Sequence, residues 1–240
     1  MTIFPEVARV TLRALVGRRR TVLMLLLAGV PILVGLLVRA NSDGIAEVGP
    51  TLDGLVVRII LPLVALVFGT AALGSELEDG SAVHLLTKPI SRTTIVLAKV
   101  AVAGTLTAAL TVPSTIVTAI LLAEPGADVV GITVSLGIGV FAGSYLYASI
   151  FAALSILTSR GLLLGLGYAL IWEGLLAGLL PGTQVFSVRE YVRGIVHLVS
   201  PSVIDSVVGN AAVPYAAIAL VAALAIASYR LATYEVRGSD

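Results

Sequence analysis

Six stretches of this sequence are long and apolar enough that lipid, not water, is their natural solvent: 21–40, 55–74, 94–123, 129–157, 161–180 and 211–232. A bilayer's hydrocarbon core is about 30 Å thick and takes about 20 mostly apolar residues of helix to cross. Each stretch therefore predicts a transmembrane helix, and the third and fourth exceed the need, which predicts tilt or extension beyond the membrane. Pro31, Pro62, Pro113 and Pro214 fall inside or near span ends, where neighbouring helices can re-satisfy the freed backbone groups. Composition agrees: 58% of the 240 residues are hydrophobic and 12% charged, against about 45–50% and about 25% in soluble domains. Too little polar surface is left to coat a water-facing globule.

The same inventory excludes most chemistry. With no cysteine there is no disulfide, thiolate metal site or cysteine nucleophile, and His84 and His197 cannot make a metal site by themselves. A net charge of +1 argues against a nucleic-acid partner, which calls for a strong basic excess. The two lysines, Lys88 and Lys99, are followed by Pro89 and Val100, so no Gly-Lys-Ser/Thr phosphate loop exists. No His-Glu-x-x-His or Gly-x-Ser-x-Gly pattern is present, and Gly143-Ser144-Tyr145 lacks the second flanking glycine. No catalytic, cofactor-binding or metal-binding residue is expected, and the chain alone should not hydrolyse ATP.

Lys and Arg near span ends set orientation, because positive loops stay in the cytoplasm. Alternating spans put Arg9, Arg13, Arg18, Arg19, Arg20, Lys88, Arg92, Lys99, Arg160, Arg230 and Arg237 on one side, leaving Arg39, Arg58, Arg189 and Arg193 on the other. Both termini are thus expected in the cytoplasm, with acid-bearing 41–53 and 124–128 outside. The first span could be read as a secretory signal, but its apolar run exceeds the roughly 7–15 residues of a signal core, and a retained helix is the better reading.

Residues 1–20 predict an interfacial helix, with Ile3, Val7, Val10, Ala14 and Leu15 near one face and Glu6, Arg9 and Arg13 on another. Residues 181–210 are too charged to cross; around Val188–Val199 and Ser202–Val208 they predict two short external helices split by Pro201. Glycines of the fourth span (Gly131, Gly137, Gly139, Gly143) and of the fifth (Gly161, Gly165, Gly167, Gly174, Gly178) predict close helix approach, and Tyr145, Tyr147 and Tyr168 predict aromatic packing. Lys99 is expected at the foot of the third span, its amine at the lipid interface. No internal repeat or linker is visible, so residues 1–240 make one transmembrane domain.

The densest signal lies in 75–93, after the second span. Glu76, Glu78 and Asp79 lead to Gly80, which permits a break, and to Ser81, which can cap a new helix. An apolar step with Leu85 and Leu86 ends at Pro89, followed by Ile90, Ser91 and Arg92, where Ser91 can cap the third span. The result is a compact knuckle with an apolar tip, or simply a well-capped loop whose acids face water. The pattern Glu-x-Glu-x-Gly-Ser, then Leu-Leu-x-x-Pro-Ile-Ser-Arg with Lys99 beyond, resembles the signature of ABC-2 type transporter permeases, specifically the six-span subunits similar to the nitrous-oxide-reductase maturation and sodium-export permeases. The layout of the whole chain is similar too.

That resemblance implies an all-α polytopic membrane protein with six spans, an interfacial amino-terminal helix, a coupling helix after the second span and short external helices before the sixth. It implies that Glu76, Glu78, Gly80, Ser81, Leu85, Leu86, Pro89, Ile90, Ser91 and Arg92 dock on a separate cytoplasmic ATPase dimer, which alone binds ATP and magnesium. A second permease chain, identical or homologous, would complete an exporter in the cytoplasmic membrane. A cavity lined by the second and fifth spans is implied, where Arg58 and Glu173 sit as membrane charges; an ion pair between them is possible, and so is a snorkelling Arg58 with Glu173 reaching external water. The competing reading is a non-transporting assembly or sensor module that anchors a mechanical ATPase.

Overall fold

The computed structural model describes residues 3–41, 48–78, 91–158, 160–177 and 182–233, and among them regular structure is wholly helical. Helix α1 is Ile3–Leu15 and α2 is Arg18–Asn41. Helix α3 runs over 48–78: one turn of α-helix at Val48–Leu52, a wide π-helical stretch at Asp53–Ile60, then α-helix at Leu61–Glu78. Helices α4 and α5 are Arg92–Leu122 and Val129–Leu157. Helix α6, Gly161–Leu176, starts as α-helix and turns π-helical at Tyr168–Leu176. After a 3-10 turn at Thr183–Phe186 come α7, Val188–Val199, and α8, Ala212–Ala232. Among the described residues α2, α3, α4, α5 and α8 are long and apolar enough to cross a membrane, and α6 is an apolar helix shorter than these.

Side-chain placement is that of a protein dissolved in lipid. Large apolar residues face outward, among them Leu26, Leu33 and Leu37 of α2, Leu163 and Ile171 of α6 and Ile218 and Val221 of α8. Hydroxyls face inward: Thr107, Thr111, Thr115 and Thr118 of α4 are fully buried. Each donates to the carbonyl four residues back, at 2.7–2.9 Å, so none of these four hydroxyls is left without a partner in a medium that offers none. Helix α5 is the central element, packed by α3, α4, α7 and α8. Its small residues let neighbours approach: a Cβ on Gly139 or Gly143 would meet Val196 or Val192 of α7 at 2.5–2.6 Å. Likewise a Cβ on Gly165 would strike Leu66 at 2.3 Å, whereas Gly137 and Gly167 meet little or nothing. Aromatic packing follows the sequence expectation, Tyr147 stacking on Phe151 and Phe151 meeting Tyr168 edge-on.

Several expectations need correction. Helix α3 begins at Val48, not at residue 55, so Asp53 lies inside a helix and not in an external connection, and it is buried. Residues 202–208 form turns and bends, not a second short helix. On α1 the buried positions are Val7, Thr11 and Leu15, at a spacing of four, and Val10 faces out at 63% exposure. Lys99 does not reach for the interface. It is 1% exposed, and its Nζ donates to the Ala72 carbonyl at 2.8 Å, tying the first turns of α4 to the last turns of α3.

The tightest backbone approach is at Gly49, where an added Cβ would lie 1.7 Å from the Val203 carbonyl oxygen. Gly49→Ala is expected to lower the unfolding midpoint in detergent, by the equivalent of about 1–3 kcal/mol as for other overpacked sites. Gly167→Ala, with nothing within 4 Å, should be neutral or stabilising by up to about 1 kcal/mol. Equal midpoints for the two variants would remove the close approach of the start of α3 to the segment before α8.

Candidate functional site

Two regions of the chain concentrate polar function, one at each end of the bundle. The first is the connection between α3 and α4. Glu76 and Glu78 belong to the last turns of α3, and α4 starts at Arg92. Ser91 caps α4 as its sequence position suggested: its Oγ accepts the Thr94 N–H at 3.2 Å and lies 2.5 Å from Thr94 Oγ1. Gly80, Ser81, Leu85, Leu86, Pro89 and Ile90, with His84, lie outside the described residues. What the structure brings together is the root of this segment, where the buried Lys99–Ala72 bond joins its two flanking helices.

The second region is a charge cluster at the opposite end, built on α7. Helix α7 places Val188, Val192 and Val196 on one buried stripe against α5, and the register of that stripe sets Arg189, Glu190 and Arg193 along its flank. Arg189 grips Asp53 of α3 with two nitrogens, Nε to Oδ1 at 3.2 Å and Nη2 to Oδ2. Arg193 approaches the same carboxylate at 3.9 Å and donates to Glu190 Oε1 at 2.5 Å. Burial works against the Arg189 charge, but hydrogen bonding to Asp53 and the fields of Asp53 and Glu190 outweigh it, and its pKa is raised.

Glu173 of α6 holds the other side of α7. Its Oε1 accepts from the Tyr168 hydroxyl and the Val188 N–H, both at 2.8 Å. Its Oε2 accepts from the Ser187 hydroxyl at 2.5 Å and, more weakly, from the Arg189 N–H at 3.4 Å. Ser187 in turn accepts the Glu190 N–H at 3.3 Å. A carboxylate thus sits on the amino-terminal N–H groups of α7, where the backbone needs acceptors and the helix dipole favours negative charge. Glu173 is 1% exposed, inside its own chain and not on an open wall.

Within the chain the pairing of Arg58 with Glu173 does not form. Arg58 is exposed on the outer surface of α3, and its guanidinium donates to the backbone carbonyl of the next residue, Gly174. All three membrane charges of this region, Asp53, Arg58 and Glu173, lie in the two π-helical stretches, a geometry that recurs where helices carry function. Asp53, Arg189, Glu190 and Arg193 escaped the sequence reading as a cluster. One local signal was available: Ser187-x-x-Glu190 just before an apolar run is the start signal of a capped helix. Nothing local could have joined it to Asp53, 136 residues away.

A family model described as ABC-2 family transporter protein matches residues 38–204, from the end of α2 through α7. No curated protein matches the chain.

Removing one partner of a buried ion pair leaves the other charge uncompensated and costs about 3–5 kcal/mol, an upper bound for the part-buried Arg189–Asp53 pair. Asp53→Ala is therefore expected to undock α7, seen as faster hydrogen exchange over 188–199 with α4 and α5 unchanged. With Arg189 also replaced by Ala, the total loss of the double variant should be smaller than the sum of the two single losses. Strict additivity would mean that the two residues do not act as a pair.

Proposed function

The chain belongs to the ABC-2 family of transporter proteins, and from that premise we propose that it is the membrane-spanning permease subunit of an ATP-driven exporter. In this reading α6, with the residues that follow it, completes six spans, and both termini are cytoplasmic. Two permease chains, identical or homologous, enclose the pathway, and two separate ATPase subunits bind ATP and magnesium. The segment 75–93 is the coupling element that rides on the ATPase.

The observation that carries the pathway assignment is Arg58. An exposed guanidinium on a membrane helix is costly against hydrocarbon and belongs beside water or another protein chain. Its bond to Gly174 puts that requirement on the seam between α3 and α6, so this seam faces the pathway or the second permease. Glu173 has a different part: it fixes the start of α7 over that seam and acts through position. For coupling, the support is the Lys99–Ala72 bond, which makes α3 and α4 move together when the segment between them is displaced.

The first experiment is a mild-detergent pull-down of the chain from its own cells, with mass spectrometry of what accompanies it. A phosphate-loop ATPase should be recovered, and lost with Glu78→Lys or Pro89→Ala; recovery of the chain alone, where other membrane complexes survive, would end the coupled reading. An ATPase that works without moving any solute in reconstituted vesicles would favour the assembly or sensor module. Because the chain has no cysteine, Arg58→Cys gives one labelling site. Reaction with a membrane-impermeant thiol reagent is expected, and complete protection both in the complex and in the lone chain would take Arg58 off a water-lined seam.

A further inference from the structure

Where α2 and α6 begin and α3 and α5 end, the four helices line a half-open cavity of about 290 Å³. Among the described residues Arg20 is the one charged side chain that lines it, and no acid does. Thr158 adds a hydroxyl whose oxygen already accepts the Arg160 N–H at 3.2 Å, which leaves its proton to donate. Gly161 brings in the first turn of α6, a helix with no side-chain cap. Thr70 and Ser155 give their protons to their own helices, at 2.7 and 2.8 Å, and keep lone pairs for a hydroxylated ligand. A cation, a hydroxyl and peptide N–H groups form a donor set for an oxyanion.

Size and surroundings narrow the class. Pockets for drug-sized molecules run about 300–1,000 Å³, so this one suits a phosphate with a small polar substituent. One wall, Leu162, is 54% exposed, and beside it Leu163 and, on α2, Val22 and Leu23 face outward at 50–63%. The cavity therefore opens onto the apolar outer surface, where a ligand's hydrocarbon chains can lie. Basic pockets between membrane helices are a known way to hold lipid headgroups.

We propose that this cavity binds the phosphate headgroup of an anionic membrane lipid, with Arg20 as the charge that selects it. The site depends on the membrane assignment and on the inward orientation of Arg20, and not on ATPase coupling. It is tested on the purified chain by native mass spectrometry with short-chain phosphatidylglycerol, phosphatidylcholine and inorganic phosphate. One phosphatidylglycerol should be retained roughly tenfold more tightly than phosphatidylcholine, the scale of a charge-assisted hydrogen bond. Arg20→Gln should abolish the preference, Arg230→Gln, exposed near the end of α8, should keep it, and Ala71→Phe, which fills the cavity with Arg20 intact, should remove binding of both lipids. Equal retention of the two lipids, or a preference that survives Arg20→Gln, overturns the proposal. Displacement of phosphatidylglycerol by millimolar phosphate that itself binds would assign the site to a soluble anion and overturn the lipid.

Discussion

A carboxylate placed among hydrocarbon must find its hydrogen-bond donors within the protein, because the solvent supplies none. Asp53 and Glu173 both meet that demand through α7, one from its flank and one at its amino terminus. Much else follows from this constraint. The start of α3 is far in sequence from the end of α6 and the amphipathic α7 that follows it, and the two acids bring all three to one place. The apolar stripe of α7 could settle on α5 in several registers; the bidentate Arg189–Asp53 pair admits one. A buried pair of this kind adds little net stability over an apolar replacement, and its contribution is to specify position.

The solvent was legible in the sequence because it is written in length and composition. Uninterrupted apolar runs give spans without reference to the rest of the chain, and Ser91 gave its cap for the same reason: its partner, Thr94, is three residues away. The amino-terminal helix was legible as an element, but not the face it buries. Val10 and Leu15 look alike to a hydrophobicity count, and only the packing against α4 and α3 decides that Leu15 goes in and Val10 goes out.

What was not legible depends on long-range pairing. Asp53 reads as a loop acid beside a proline-containing segment until Arg189 is known to face it. Arg58 and Glu173 read as partners because opposite charges in neighbouring spans invite pairing, yet each is satisfied by backbone: Arg58 by the Gly174 carbonyl, Glu173 in part by the Val188 N–H. Lys99 was misplaced by the same habit of assigning long cationic side chains to the interface. Its stem is short enough to stay inside when a carbonyl near the end of a neighbouring helix lies within 2.8 Å. All of these pairings lie within residues 38–204 of this chain, the stretch that the family model matches.

The inward hydroxyls of α4 have a mechanical corollary. Because Thr107, Thr111, Thr115 and Thr118 are satisfied by their own helix, the face they form carries little hydrogen bonding to its neighbours. Among the described hydroxyls of α4 and α5, the contacts that cross to another helix are Thr105 to Tyr145 at 2.9 Å, the long Thr111–Ser144 pair at 3.4 Å and Ser114, which donates to the Ala28 carbonyl of α2. Small sliding of packed helices is one of the two basic modes of protein rearrangement. An interface built this way can shear by an ångström or two while its polar groups remain bonded, whereas the end held by Asp53 and Glu173 cannot shift without breaking its charges apart. Strain applied at the Lys99 end would then be taken up as glide along α4 and would stop at α7, which makes the charged end the fixed point of any such motion.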